Sequence, residues 1–547
     1  MPGADVKPKT FGLFPAGGGF VTPPDSSPSE NRQLARAAGT VGFFTFLSRI
    51  LGLVRDMVVA RFFGAGMAAD AFFVAFRIPN LLRRLFAEGS LSIAFVPVFT
   101  EYLQQKRRED AVELARVALT MLSLLLAVVT ILGVLGAPWI VRIQAWGFGA
   151  AGDRYELTVL LTRITFPYIF LISLVALFMG ILNALRHFAA PAAAPIFLNV
   201  AIIGAVYWLY PRLSEPVVGL ALGVIIGGVL QVMLQVPWLL KNGISLRPRW
   251  LPGHPAVARI GRLMLPAVFG SAVYQFNQFV GTLLASFLPQ GSVSWLYYAD
   301  RVVQFPLGVF AIAVSTAALP SLSRQAAEEG LHAFRGTLGY ALRLVFFISL
   351  PSMAGLMILA PLIVRVLFER GVFQAASTDM TAQALVFYSA GLWAFSGIRV
   401  LVAGFYGLQD TKTPVKAAFI ALLINAGCSL ALMGPLRHGG LALALSIAST
   451  AQLLFLGVLL RSRIHGLEVR RLLRSVVISL CASGAMSALL FWVYRVWWRP
   501  GAGTGLGELI IGLGGLVALG ALVYFALCFF LGSEELASML RLVRVKR

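Results

Sequence analysis

Two arginines lie inside the first apolar segment of this sequence, at positions where a membrane helix normally carries uncharged side chains. Arg49 and Arg55 would each add about 2.5–3.5 kcal/mol to the insertion free energy at the centre of such a helix. Gly52 between them permits a bend that turns both side chains toward one interior cavity. Arginine suits a diphosphate, because its planar guanidinium donates bidentate hydrogen bonds and stays charged when partly desolvated. The two residues therefore predict an anion-binding site inside a membrane protein.

Two later apolar segments also contain ionisable residues. These residues are Asp70, Arg77, Arg83 and Arg84 in the second segment, and Asp300 and Arg301 in a segment of the second half. Positions 70, 77 and 84 recur every seven residues and so share one helical face. This face is predicted to be wet or buried in protein. The alternative is that the arginines extend to the cytoplasmic headgroups and that the two aspartates form structural ion pairs.

The composition indicates the kind of protein that must position these side chains. Of the 547 residues, 59% are apolar and 12% are charged, and the mean hydropathy is +0.84, whereas soluble proteins carry about 25% charged residues. Runs such as 118–141 and 217–240 contain no Asp, Glu, Lys or Arg and exceed the roughly 20 residues that span a bilayer. Such unbroken runs exclude a soluble enzyme and a β-barrel. The predicted fold is an all-α polytopic membrane protein with about fourteen transmembrane helices.

The charge distribution predicts the orientation of these spans. The chain has 45 Lys and Arg against 23 Asp and Glu, a net charge of +22. The basic residues concentrate in alternate connections, within 106–108, 241–262, 324–335, 461–474 and 541–547. The positive-inside rule makes these connections and both termini cytoplasmic. Anionic lipids at the cytoplasmic face are therefore the expected partners of the basic residues, and nucleic acid is not.

Catalytic and metal-binding patterns give no support to an enzyme. The three cysteines lie in apolar stretches without CxxC spacing, and the five histidines are scattered. The sequence contains no Walker motif, HExxH or GxSxG. We therefore expect no enzymatic activity, no metal site and no cofactor.

A weak internal repeat indicates a transporter. Pro97 and Pro320 end similar motifs, and Pro191 and Pro414 begin similar segments; both pairs are 223 residues apart. Six predicted spans separate equivalent points, so the halves would share one orientation, related by an axis along the membrane normal. The alternative is coincidence, because proline is not rare in membrane helices.

Four stretches resemble a known family. They are the runs beginning SRILGLVRD (48–102), ITFPYIF (164–195), GSVSWLYYADR (291–323) and GFYGLQDTKTPVK (404–416). They resemble the MurJ (MviN) lipid II flippases of the MOP exporter superfamily. The resemblance implies two six-helix lobes around a central cationic cavity, with two C-terminal helices forming a groove for a lipid tail. It also implies movement of undecaprenyl-pyrophosphate-linked disaccharide-pentapeptide from the cytoplasmic to the periplasmic leaflet by alternating access, with cell-wall synthesis proteins as partners.

The resemblance assigns roles to individual residues. The substrate-binding residues that it implies are Arg49, Arg55, Asp70, Arg83 and Arg301, with Arg77, Arg84, Asp300 and Gln304 as secondary candidates. Gln304 stands where family members can carry an acidic residue, which puts a role for a carboxylate there in doubt. The seventh predicted span, 257–288, lacks Asp and Glu, so a sodium site built on a carboxylate in this span is not supported.

The predicted organisation has five parts. They are a disordered cytoplasmic tail (1–32), an N-terminal lobe (33–241), a C-terminal lobe (242–463), two additional helices (464–532) and a basic cytoplasmic tail (533–547). Residues 1–32 are predicted to be disordered because they are rich in Pro, Gly and Ser.

Three other functions stay open. One is export of a lipid-linked O-antigen or a drug by another member of the superfamily, although cationic drugs call for an acidic cavity. A second is a non-transporting scaffold, which gives no reason for the buried arginines. A third is a membrane glycosyltransferase or polymerase, which would need catalytic carboxylates that the sequence does not offer.

Overall fold

A computed structural model describes residues 28–83, 91–149, 151–329, 331–466, 468–498, 500–501 and 503–545. Within these ranges the regular structure is helical, and no strand is present. A helix satisfies all of its own backbone hydrogen bonds, which is what a chain in lipid requires.

Within the described part of the chain, nineteen α-helices follow one another. They are α1 (Pro28–Phe63), α2 (Met67–Leu82), α3 (Leu91–Gln105), α4 (Arg108–Leu135), α5 (Ala137–Gln144), α6 (Asp153–Thr165), α7 (Tyr168–Ala184), α8 (Ala189–Leu209), α9 (Val218–Lys241), α10 (Pro255–Ser286), α11 (Ser292–Pro306), α12 (Ile312–Arg324), α13 (Leu331–Phe368), α14 (Ala375–Ser389), α15 (Leu392–Gly407), α16 (Lys412–Arg463), α17 (Val469–Trp492), α18 (Leu506–Phe530) and α19 (Glu534–Val545).

The helices occupy the positions of the predicted spans. Nine described helices or continuous helical segments are long and apolar enough to cross a membrane, and the bent pair α14–α15 makes ten. Adding α1, the α2–α3 pair and α10 gives thirteen. The long helix α16 contains two predicted spans, 415–434 and 439–460. They are separated at Arg437, where φ is 50° and the backbone leaves the helical region. Counting α16 twice gives fourteen, which is consistent with the predicted number.

The two halves of the chain pack in the same order, as the proline repeat predicts. In the first half α8 packs against α1, α6 against α2, and α7 against α3. In the second half α16 packs against α10, α14 against α11, and α15 against α12. The structure is therefore a pair of similar lobes.

The last membrane helices attach to the second lobe through α13. Helices α17 and α18 pack on each other and on α13, and the Tyr524 hydroxyl donates to the Phe347 carbonyl oxygen at 2.7 Å. Their outer faces stay apolar and exposed, for example at Val477 and Phe529.

The ends of the chain contain more helix than the sequence predicts. Helix α1 begins at Pro28, inside the predicted disordered tail 1–32, whereas 1–27 lie outside the described residues. The predicted basic tail contains α19. The buried Glu535 in the first turn of α19 pairs with Arg343 of α13, with 3.1 Å between Oε1 and Nε.

Candidate functional site

A buried carboxylate joins two partly buried arginines from different lobes. Asp56, about two helical turns before the end of α1, is 3% exposed. Its Oδ1 accepts hydrogen bonds from Nε and Nη2 of Arg55 at 3.0 and 2.7 Å. Its Oδ2 lies 3.5 Å from Nε of Arg301 on α11. The first and second lobes thus each contribute one guanidinium to the same aspartate.

Polar neighbours hold this arginine cluster, which we define as Arg55, Asp56, Arg301, Tyr297 and Asn199. The Tyr297 hydroxyl donates to Asp56 Oδ1 at 3.2 Å and accepts from Nη2 of Arg55 and of Arg301 at 3.3 and 3.1 Å. Asn199 of α8 accepts from Arg55 Nη1 at 3.1 Å. The ring of Phe73 stacks on that of Tyr297, with 3.8 Å between centroids. Every member is therefore positioned by at least one contact outside its own helix.

The cluster carries an excess of positive charge that a ligand can reach. Two guanidinium groups share one carboxylate, so the net charge is +1 when all three are ionised. The side chains of Arg55 and Arg301 are 15% and 29% exposed. A partly desolvated cation attracts an anion more strongly than an exposed one, because the local dielectric constant is low. The arrangement suits binding of a phosphate or diphosphate group.

Arg49 reaches toward the second lobe near this cluster. It is exposed, and its guanidinium lies against the backbone of Gly308, where an added Cβ would be 1.9 Å from Nη1. Gly308 belongs to a π-helical segment, Leu307–Ala311, that follows Pro306 between α11 and α12. Among the described residues no acidic side chain forms an ion pair with Arg49, so its charge adds to that of the cluster.

Two other predicted arginines donate hydrogen bonds to residues outside the cluster. Arg77 donates to Thr282 and Gln278 of α10, at 2.9 and 3.1 Å. Arg83 donates to Asn80, three residues earlier on the same helix, from Nε and Nη2 at 3.1 and 2.9 Å. Arg84 lies outside the described residues.

The two secondary candidates on α11 interact with each other. The Gln304 amide donates to the Asp300 carboxylate one turn earlier. Position 304, which can be acidic in the family that the sequence resembles, therefore holds an amide that binds Asp300.

Asp70 does not lie in the arginine cluster but in a contact between the lobes. Its side chain is fully buried. It accepts hydrogen bonds from the backbone N–H of Gly291 and of Ser294 at 2.7 and 2.9 Å, and from the Ser294 hydroxyl at 2.6 Å. These donors lie at the N-terminal end of α11, whose helix dipole favours a negative charge there. Arg154 of α6 completes the set, with Nη2 at 2.8 Å from Oδ2.

Further contacts extend this junction, which we call the interlobe seam. The Val372 N–H donates to the Arg61 carbonyl oxygen at 2.9 Å, and the Tyr298 hydroxyl donates to the Gly64 carbonyl oxygen at 3.1 Å. Gly291, at φ +97°, lies so close to the α1–α2 turn that a Cβ would be 2.6 Å from the Ala65 oxygen. Except for Tyr298, which lies in the following predicted span, these residues belong to connections that the sequence predicts to be non-cytoplasmic. At the other end of α1, most side chains of 41–46 are exposed, so the lobes are joined at one end of the bundle and leave α1 uncovered at the other.

Three members of the cluster are absent from the sequence-based prediction. Asp56 directly follows Arg55 in the sequence. A carboxylate next to an arginine in an apolar segment indicates an ion pair, so Asp56 could have been predicted. Tyr297 lies one helical turn before Arg301 in the same motif. Asn199 follows Pro191 in the repeat, but nothing in the sequence around it predicts that it binds Arg55.

Comparisons with known proteins give a consistent result. A model of the family described as "Lipid II flippase MurJ" matches residues 59–503. The "Probable lipid II flippase MurJ" of Vibrio cholerae serotype O1 is 40% identical over 514 residues, which cover 92% of this chain and 97% of that protein. The "Lipid II flippase MurJ" of Burkholderia cenocepacia is 42% identical over 432 residues, which cover 78% of this chain and 84% of that protein.

Solved structures share the fold. A lipid II flippase MurJ in an inward closed conformation matches with a TM-score of 0.75 and 28% identity, over 90% of this chain and 98% of that one. An inward-facing multidrug resistance MATE family transporter of the MOP superfamily matches with a TM-score of 0.67 over 76% of this chain and 94% of that one, at 18% identity. The second likeness concerns the fold alone.

Proposed function

The chain belongs to the lipid II flippase MurJ family, and from this premise we propose that it carries lipid II across the inner membrane. The substrate is undecaprenyl-pyrophosphate-linked disaccharide-pentapeptide, and it moves from the cytoplasmic to the periplasmic leaflet by alternating access. The observation that carries the proposal is the cluster in which Arg55 and Arg301, from different lobes, share Asp56. A ligand that binds both arginines would contact both lobes at once.

The pyrophosphate would bind by competing with Asp56. Each arginine can turn its guanidinium fork from the carboxylate to a phosphate, which carries more charge and more acceptor oxygens. Arg49 lies on the same helix and has no acidic partner among the described side chains, so it supplies a third cation. Arg83, which donates hydrogen bonds to Asn80, remains a candidate through the resemblance alone.

Alternating access would consist of opening the interlobe seam. With the basic loops cytoplasmic, the seam lies on the periplasmic side and closes the substrate path there. Release of Asp70 from the N-terminal end of α11 would separate the lobes at this end. The cationic cluster disfavours the alternative of a drug exporter, because a positive site repels the cationic compounds that such exporters carry.

The remaining assignments complete the proposal. Both termini would be cytoplasmic, anionic lipids would contact the basic loops, and cell-wall synthesis proteins would be partners. The polyprenyl tail would stay in lipid along α17 and α18, whose exposed apolar side chains include Leu480 and Leu522.

A complementation experiment tests this function. Cells depleted of their own lipid II flippase should regain growth when this chain is expressed, and lipid II should again become accessible from the periplasm. The matched control is a variant carrying both Arg55→Ala and Arg301→Ala, expressed at the same membrane level. If the unaltered chain reaches the membrane and lipid II stays on the cytoplasmic side, the proposed function is wrong.

We expect the membrane potential to drive transport. The seventh predicted span lacks a carboxylate, and a headgroup carrying about two negative charges gains ~4.6 kcal/mol across 100 mV when it leaves a negative interior. Reconstituted protein should flip lipid II faster when valinomycin and a potassium gradient make the substrate side negative, without a sodium gradient.

The control is the same vesicle preparation without valinomycin. A rate that ignores the potential and rises with a sodium gradient would contradict this expectation. It would direct attention to the amides of α10 and α16, where Asn425 Nδ2 donates to Asn277 Oδ1 at 2.8 Å.

A further inference from the structure

A small recess lies where α17 begins and α18 leads into α19. Helix α17 contributes Arg471, Arg474, Ser475 and Ile478 to its wall, and the turn into α19 contributes Gly532 and two glutamates. The recess is open to its surroundings, and ≈ 210 Å³ of space, part of it outside the protein, is free of protein atoms there. The recess is far along the chain from the arginine cluster and belongs to neither lobe's substrate-contacting helices.

Several charged groups of the recess are already paired. Glu535 is buried and is bound by Arg343 Nε at 3.1 Å and by the Ser533 hydroxyl at 2.9 Å. Arg471 pairs with Glu468 at 2.9 Å, although it is 62% exposed. These pairs hold the wall of the recess in place.

Three polar groups of the recess remain available. Arg474 and Glu534 are exposed, and neither side chain has an ion pair with another described residue. The Ser475 hydroxyl is buried, at 5% residue exposure, and has no hydrogen-bond partner among the described atoms. A buried hydroxyl without a partner is unfavourable by about 1–3 kcal/mol. The recess therefore offers a cation, an anion and an unsatisfied hydroxyl to one small ligand.

The surroundings of the recess match the boundary between headgroups and acyl chains. Above it, α17 exposes Leu473 and Val477, at 57% and 55%, and α18 ends with Phe529 and Phe530 exposed at 66% and 82%. Such side chains contact lipid tails in a membrane protein. A ligand in the recess would thus have a polar end among the charges and an apolar end along these helices.

We propose that this recess binds the headgroup of a zwitterionic aminophospholipid of the phosphatidylethanolamine type. The phosphodiester accepts hydrogen bonds from Arg474, Arg471 and the Ser475 hydroxyl, and the ammonium group pairs with Glu534. Glu534 also provides selectivity, because its carboxylate repels lipids whose headgroup has no cation to offset the phosphate. This inference does not depend on the transported substrate, so it can be tested separately from the proposed function.

Native mass spectrometry of the full-length protein in detergent tests the proposal, with dioleoyl phosphatidylethanolamine and dioleoyl phosphatidylglycerol as probes. The unaltered chain should bind the ethanolamine lipid more tightly. Arg474→Ala should weaken that binding about tenfold, as expected for loss of one charge-assisted hydrogen bond. Glu534→Gln should weaken ethanolamine-lipid binding and strengthen glycerol-lipid binding, a change of selectivity that a merely structural residue would not produce.

Two matched controls lie outside the recess. Arg470→Ala removes an exposed arginine from the same turn of α17, and Glu508→Gln removes a carboxylate from the other end of α18. Neither should change the binding of either lipid. Equal binding of both lipids by the unaltered chain would overturn the proposal, and so would an effect of Arg470→Ala as large as that of Arg474→Ala.

Discussion

Replacing Arg55 or Arg301 with alanine should abolish the rescue of flippase-depleted cells. Each guanidinium would make two charge-assisted hydrogen bonds to the pyrophosphate, each contributing about 1.5–3 kcal/mol. Loss of one arginine should therefore lower the transport rate by at least 100-fold. Lysine at either position should restore little, because it keeps the charge but lacks the planar fork. Lipid II exposure at equal membrane levels of protein measures the effect.

A second variant separates binding by the Arg301 guanidinium from the charge balance of the cluster. Alanine at Arg301 leaves Asp56 paired with Arg55 alone, so the net charge of the cluster falls from +1 to zero. Adding Asp56→Asn returns the net charge to +1 but supplies no second guanidinium, so transport should not recover. Full transport in the double variant would mean that Arg301 serves only to neutralise Asp56, and the assignment to substrate binding would be wrong.

Arg343→Ala is the matched control for these variants. It also removes an arginine from a buried carboxylate, Glu535, but at the far end of α13 from the cluster. We expect lower thermal stability and retained transport. Equal loss of transport in all three variants would indicate a general requirement for buried ion pairs.

Replacing Asp70 with asparagine should open the interlobe seam. The amide fits the same space but loses the charge that holds Arg154 and the N-terminal end of α11. At about 3 kcal/mol for a broken buried pair, the ratio of closed to open molecules should fall more than 100-fold. Transport should fall as well, because the path would no longer close before the substrate loads.

Cysteine cross-linking measures the seam directly. A cysteine pair at Arg61 and Val372, whose backbones hydrogen-bond at 2.9 Å, should form a disulfide readily in a background in which Cys428, Cys481 and Cys528 are replaced by alanine. Asp70→Asn should reduce the yield, and adding Arg154→Gln should restore part of it by removing the unpaired cation. Asp153→Asn, an exposed acidic residue beside Arg154, is the control. An unchanged yield in Asp70→Asn would show that the seam does not depend on this carboxylate.

Local chemistry explains the predictions that the sequence supported. The insertion cost of a charged side chain and the length of an apolar run depend on neighbouring residues alone. These two quantities therefore predicted the helical membrane fold and the positions of the spans. They also identified Arg55 and Arg301 as candidate binding residues. Pro97 and Pro320 also lie in equivalent helices, α3 and α12, as the repeat predicts. Proline is informative here because it acts on the backbone of its own helix.

Contacts between residues distant in sequence could not be predicted in this way. Asp70 and Arg55 belong to the same stretch of the sequence, 48–102, yet Asp70 binds Ser294 whereas Arg55 binds Asp56 and Asn199. Helical periodicity put Arg77 on the face of Asp70, but Arg77 reaches α10 instead. A periodic pattern tells which residues share a face, and it does not tell which helix packs against that face.

By itself, the sequence determined the fold class, the span positions and the presence of arginines too costly to face lipid, since each depends on hydrophobicity along a single helix. The tertiary structure alone decided that Asp56 bridges two lobes, that Asp70 closes the seam, and that Ser475 and Glu534 face one recess. The reason is physical: these contacts join residues from separate helices, and their geometry exists only after the helices have packed.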